Sequence, residues 1–189
     1  MVKRGSILIA LLVAPAAFGG SWTVCVTDTS TLLTPPVRGA VTREFHSLMG
    51  GHRAGLAFDK CAKGGPKIHL LIKDEPPNGL EGVLGLARRN RDRIEPQLQV
   101  FYGSLVRYLG EPNSAEAIGR AVARVAAHEA VHFLEQQPHH CQRGLLQAML
   151  SAYELLAADP APFHFDPQCA PDPAEGQAAT ETLANAAIP

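Results

Sequence analysis

The apolar positions of this chain change period along its length, and the changes mark its elements. Between residues 22 and 27, Trp22, Val24 and Val26 alternate with Thr23, Cys25 and Thr27, which predicts a β-strand. Residues 37–49 shift to helical spacing, with Val37, Val41, Phe45 and Leu48 on one face. Thr34-Pro35-Pro36 marks the start of that helix and Gly50-Gly51 its end. A short strand is expected over 55–59. The run 67–73, apolar between Lys67 and Lys73, carries the strongest strand signal in the chain. Gly64-Gly65-Pro66 turns the chain before it, and Pro76-Pro77-Asn78-Gly79 breaks the pattern after it. Two further strands are expected at 82–87 and 98–102. The basic run between them, with Arg88, Arg89, Arg91 and Arg93, reads as a solvated turn that can also lend positive charge to a groove. Residues 104–109 suit either a short helix or an extension of the last strand.

The longest periodic stretch comes next. Pro112-Asn113-Ser114 supplies an N-cap, Glu116 and Ala117 occupy the first turn, and Ile118, Ala121, Val122 and Val125 form an apolar stripe. This helix should reach about residue 137, where Pro138 stops it. Another helix is expected from about 144 to 157. From Asp159 onward Pro, Ala and acidic residues dominate, so the chain beyond 165 should be poorly ordered. Strand, helix, several strands and a long helix, in that order, predict an α+β domain: a small twisted mixed sheet packed on helices.

The two ends of the chain change this picture. Lys3 and Arg4, an apolar run over 7–18 and then Gly19-Gly20-Ser21 make a secretory signal peptide over 1–20. The run is too short for a spanning helix, which needs about twenty residues. The expected organisation is therefore a leader (1–20), one domain (21–165) and a Pro/Ala-rich tail (166–189), secreted or periplasmic and monomeric. With 17 basic and 18 acidic residues in all, loss of Lys3 and Arg4 leaves 15 against 18. That balance offers no surface for nucleic acid or, after leader cleavage, for membrane. All four cysteines lie in the exported part, which reads as two disulfides with three pairings open. Cys25 with Cys61 and Cys141 with Cys169 is the favoured set, because each bridge ties neighbouring segments. Cys141 as a thiolate metal ligand is the alternative.

The candidate chemistry sits on the long helix, at His128-Glu129-Ala130-Val131-His132. A helix turns about 100° per residue, so histidines four apart project from one face. Two imidazoles so placed can hold one zinc ion, and Glu129 beside the first can take a proton from a water on the metal. Val125, Ala126, Ala127, Ala130, Val131, Phe133 and Leu134 around them are uncharged, as a buried metal helix requires. The pair continues the stripe begun by Ile118, so the metal should face the core side, in a cleft.

This segment resembles the active-site helix of the zincin metallopeptidases, over about thirty residues from Ala121 to Leu150. The resemblance implies a zincin-like fold, a Zn2+ cofactor, a peptide or protein substrate, and hydrolysis by a zinc-bound water with Glu129 as general base. A catalytic zinc needs a third protein ligand and an open fourth position. In the metzincin branch, H-E-x-x-H-x-x-G-x-x-H, the third histidine falls where this chain has Pro138 and the glycine where it has Glu135. A closer likeness is to small secreted bacterial zinc-protease-like proteins with a third histidine eight residues on, followed by Gly-Ile-Met. In that register His140 is the ligand, Gly144 is the glycine and Leu145-Leu146 replace Ile-Met, with Met149 a substitute floor for the metal. His128, His132 and His140 are thus the expected metal ligands, His140 being preferred over its neighbour His139. Glu154 is the rival third ligand by likeness to the gluzincin branch, with Tyr153 beside it a candidate oxyanion donor. His46, His52, His69 and His164 have no partner at ligand spacing. The second functional expectation is an exported zinc-binding protein of zincin fold without peptidase activity.

Overall fold

The structure is a computed structural model and describes residues 21–29, 31–59, 61, 63–110, 114–165 and 169. The expected signal peptide, and the tail from 166 apart from Cys169, lie outside the described residues. In chain order the elements are β1 (Trp22–Asp28), α1 (Pro35–Met49), β2 (Ala54–Phe58), β3 (Lys67–Lys73), β4 (Gly85–Asn90), β5 (Arg93–Phe101), α2 (Tyr102–Leu109), α3 (Ala115–Glu135) and α4 (Ala152–Leu156). The strands form one mixed sheet in the order β2-β1-β3-β5-β4. β1, β2, β3 and β5 run parallel, and β4 closes one edge antiparallel to β5.

Strand alternation turns into packing most clearly on β3, where Ile68, Leu70 and Ile72 are buried while His69 between them is exposed. Each such side chain contributes about 1.5–3 kcal/mol by leaving water. The partner layer is helical. α1 packs on α3 and on β2, and α3 packs on β4 and β5. Val37, Val41, Phe45 and Met49 of α1 are buried on the face that the helical spacing predicts. The two helices approach closely because position 119 has no side chain: a Cβ there would collide with that of Ala40 and stand 2.9 Å from the Val37 carbonyl. Ser114 caps α3, its hydroxyl accepting from the Ala117 N–H at 3.2 Å. The bridges are Cys25–Cys61 and Cys141–Cys169. Cys141 is therefore not a thiolate ligand.

Three expectations are corrected. The basic run is not a turn: Arg88, Arg89 and Asn90 belong to β4, Arg93 begins β5, and only Arg91-Asp92 turns, with Arg91 at φ 53°. Backbone pairing with β5 carries these exposed arginines into the ladder, which a reading by polarity misses. The preceding strand accordingly begins at Gly85 rather than residue 82. The last helix is much shorter than expected, because Gly144 takes φ +82° and the Leu145 N–H goes to the His164 carbonyl at 3.2 Å. Leu145 and Leu146 are buried by this loop rather than by a helix. Residues 104–109, which suit helix or strand by pattern, are helical, and the helix already begins at Tyr102, where the pattern predicts the end of the strand.

Candidate metal centre and its cleft

α3 brings His128, Glu129 and His132 to its buried face, all three nearly excluded from solvent. After Glu135 the chain leaves the helix through Gln136, a left-handed residue at φ 50° whose N–H returns to the carbonyls of His132 and Phe133. The Gln136 side-chain amide then pairs with both backbone groups of Ile94 on β5, at 3.1 Å each. Helix end and sheet are thereby tied, and the chain doubles back to deliver His140. The ring centroids of His128, His132 and His140 lie 4.6, 5.2 and 5.0 Å apart. One ligand nitrogen from each falls within 4.8 Å of the others.

The hydrogen bonds assign the tautomers. His128 Nδ1 is 2.7 Å from the Leu145 carbonyl and His132 Nδ1 is 2.5 Å from the Gln137 carbonyl. A carbonyl oxygen only accepts, so both Nδ1 atoms carry the proton and both neutral rings present a bare Nε2. These two Nε2 atoms face each other at 3.0 Å. Two lone pairs at that distance repel unless a cation lies between them. Burial, with His132 and His140 nearby, holds the His128 pKa down at about 3, so the His128 Nε2 stays unprotonated and available as a ligand near neutral pH. Ligands on a tetrahedral zinc at about 2.0–2.1 Å stand roughly 3.3 Å apart, close to the spacing here. The residues present therefore fit a single metal ion held by ring nitrogens.

Glu129 occupies the next position along the helix. Burial pushes its carboxyl up to about 8, and a backbone hydrogen bond from Ala87 of β4 works against that shift. β4 can come this close because residue 85 is glycine. A Cβ at Gly85 would stand 2.6 Å from both Glu129 Oε1 and Val125 Cγ1. No local signal separates Gly85 from any strand glycine; only the apposition of β4 and α3 shows its role. A cleft of about 380 Å³ opens on His128, Glu129 and His140, walled by Leu84, Tyr108 and Met149 among others. The Tyr108 hydroxyl donates to the Leu150 carbonyl at 3.0 Å, bracing that wall.

The rival residues stand elsewhere. His139 is not part of the metal-competent group. Glu154 is the N3 residue of a capping box: its carboxylate accepts from the Ser151 N–H at 2.8 Å and hydroxyl at 2.6 Å, which lowers its pKa. The spacing Ser151-x-x-Glu154 is the sequence signature of that box. Tyr153 is 83% exposed and does not line the cleft; the cleft tyrosine is Tyr108. Met149 is 80% exposed and forms wall rather than floor, while Leu145 and Leu146 are buried, the Leu145 carbonyl against His128. His52 pairs with Glu135 at 3.3 Å.

The fold is similar to that of archaemetzincin from Methanopyrus kandleri, with a TM-score of 0.55 and 16% sequence identity, covering 90% of this chain and 99% of that one. At that identity the likeness concerns the fold. No protein-family model matches the chain, and no curated protein matches it.

Proposed function

We propose that the protein is an exported zinc-dependent peptidase in which His128, His132 and His140 hold the metal and Glu129 is the general base. The observation that carries this reading is the convergence of three imidazoles, one ligand nitrogen of each within 4.8 Å of the others, beside a buried glutamate that lines an open cleft. Zinc bound there supplies Lewis-acid polarisation of a carbonyl and lowers the pKa of water to about 7. The chain's own residues do the rest. The Leu145 and Gln137 carbonyls fix the ring orientations of His128 and His132. Glu129, buried beside the triad, takes a proton from the attacking water as a carboxylate and passes it to the departing amine. Gly85 leaves the space in which that carboxylate works. The walls around Leu84, Tyr108 and Met149 receive an extended peptide or protein segment and exclude water from it.

Export is supported by the leader-like residues 1–20 and by the two disulfides, which persist in oxidising compartments. Among the described residues no helix is long and apolar enough to cross a membrane. The working unit in this proposal is a monomer. The alternative, a zinc-binding protein of the same fold without peptidase activity, leaves Glu129 without a role, since a merely structural site fills its fourth position with a protein ligand and needs no base. A Glu154-ligated site would require that carboxylate to abandon its cap on α4.

Chelator-sensitive cleavage of casein or a peptide library tests the reading. Glu129→Gln should retain zinc and lose turnover by about 10²–10⁴-fold. Full turnover in that variant rejects the mechanism.

A further inference from the structure

The cleft changes character on passing the histidine triad. On one side it is lined by Leu84, Tyr108, Val125, Met149 and Leu150, with no charged side chain beyond Glu129 among its described walls. On the other side lies a smaller hollow of about 250 Å³, lined by Ala87, Ile94, Pro138 and Arg89 together with Glu129 and His132. Gly85, Glu129 and His140 line both hollows, which adjoin there and together make the trough along which we place a substrate. Among its described walls, Arg89 is the cationic side chain of that trough.

Arg89 is placed there by the strand. Gly85, Ala87 and Arg89 alternate along β4 onto the side that meets the metal helix. The ladder slips just here, with Ala87 opposite Leu98 but Arg89 opposite Ile94, so one residue of β4 faces three of β5. Pro96, which has no N–H to donate, lies in that irregularity. Such slips re-aim side chains. The Arg89 Nε donates to the Arg91 carbonyl at 2.8 Å, which sets the arm over the turn. Its carboxylate neighbour, Asp92, is 3.8 Å away and fully exposed. An ion pair of that kind contributes at most about 1 kcal/mol, so a substrate carboxylate displaces it at little cost. Arg88, by contrast, pairs with Glu95 at 3.4 Å and does not line the trough. The hairpin carries four arginines against Asp92 and Glu95, on a chain whose net charge is −1. Its local field draws anions to this end of the cleft.

We propose that Arg89 is a specificity-determining residue that receives a substrate carboxylate on the Pro138 side of the triad, while the Tyr108 side takes an apolar side chain. The inference rests on the peptidase reading and narrows its substrate class. A strand rises about 3.3 Å per residue, so an extended peptide beside β4 meets Arg89 roughly two to four residues from the scissile bond. The carboxylate belongs either to an Asp or Glu side chain or to the free end of the peptide.

The test uses the zinc-loaded protein and quenched neutral peptides carrying one Glu, or Gln as control, at each of those positions, with the C-terminus free or amidated. A Glu-over-Gln gain in kcat/KM of about fivefold, through KM, is expected on one side of the scissile bond only. Arg89→Gln should abolish it, Arg89→Glu should turn the preference toward Lys, and Arg93→Gln, on the same hairpin but outside the trough, should leave most of it. If the gain follows the free terminus instead and is equally lost in Arg89→Gln, the carboxylate is that of a chain end. No gain from either source, or a gain that survives Arg89→Gln, overturns the proposal. Fluorescence anisotropy of the same peptides on the zinc-loaded Glu129→Gln protein separates the two readings. Arg89-dependent binding with no cleavage by the wild type keeps Arg89 and removes the peptidase; cleavage without Arg89 dependence does the reverse.

Discussion

Two buried polar clusters sit one helical turn apart on α3, and they are built on opposite terms. Arg124 is 0% exposed, and its whole guanidinium is matched. Nε donates to Glu44 of α1 at 2.7 Å, Nη1 to the Glu154 and Leu155 carbonyls at 2.5 and 3.3 Å, and Nη2 to the Asp159 carbonyl at 3.3 Å. The group also lies 4.4 Å from the centroid of the Phe163 ring. Burial lowers its pKa, and Glu44 opposes that shift. One turn on, the Nε2 atoms of His128 and His132 face each other at 3.0 Å, and no ion pair of Glu129 occurs among the described residues. The first cluster closes on itself and clamps α1, α3 and the C-terminal segment together. The second leaves its bonding capacity aimed into a cleft. Burial alone does not distinguish a structural group from a site; what distinguishes these two clusters is whether the buried groups converge on one another or on a cleft that can take a ligand.

The largest effect should come from breaking the closed cluster. Arg124→Met strands Glu44 and three carbonyls, and should cost about 3–5 kcal/mol in urea unfolding. Adding Glu44→Leu should recover much of that loss. A neutral Arg124→Met would show that the cluster is not a clamp. Opening the other cluster should cost ligand rather than fold. His140→Ala should weaken zinc binding by more than about 100-fold, with the unfolding of the metal-stripped protein little changed. His139→Ala should leave the affinity where it was, and the reverse result would exchange their roles.

The smallest effect is a pH signature of the metal-stripped protein. His128, held at about 3 in the fold, contributes stability that is present above its ordinary 6.5 and is lost as pH falls toward 3. Glu129, raised from 4.5 to about 8, contributes stability that is present below 4.5 and is lost as pH rises toward 8. Between roughly pH 4.5 and 6.5 the two slopes oppose each other, and above that window the Glu129 slope should stand alone. Thermal unfolding across this range should show Glu129→Gln losing the decline above pH 6.5 while keeping the acid decline. An unchanged alkaline limb would place the carboxyl in a more solvated setting than the structure gives it.

How much of this could be read from the chain depends on the range of the contacts involved. Period identified β1, α1, β3 and α3, because each buries one face in a regular lattice. The turn from α3 back to His140 followed from Pro138 and adjacent histidines, a local signal. The partnership of Arg124 with Glu44 spans 80 residues, and an arginine in an apolar stripe carries no mark of its counterpart. Gly85 and Tyr108 entered the site only through the packing of β4 and α2 against α3. The loop over 144–151 misled for a related reason: its apolar residues have helical spacing, but Leu145 and Leu146 are buried by tertiary bonds to His164 and Cys141. Local pattern reports which face is apolar and leaves open what covers it.

In this reading one divalent ion is clasped by three imidazoles and left a vacant corner beside Glu129. Diffraction from zinc-grown crystals, recorded on both sides of the zinc absorption edge, tests it most directly. A single anomalous peak is expected about 2.0–2.1 Å from a nitrogen of each of His128, His132 and His140, with no fourth protein ligand. A peak ligated by His139 or Glu154 in place of His140, or one closed by four protein atoms, would contradict it.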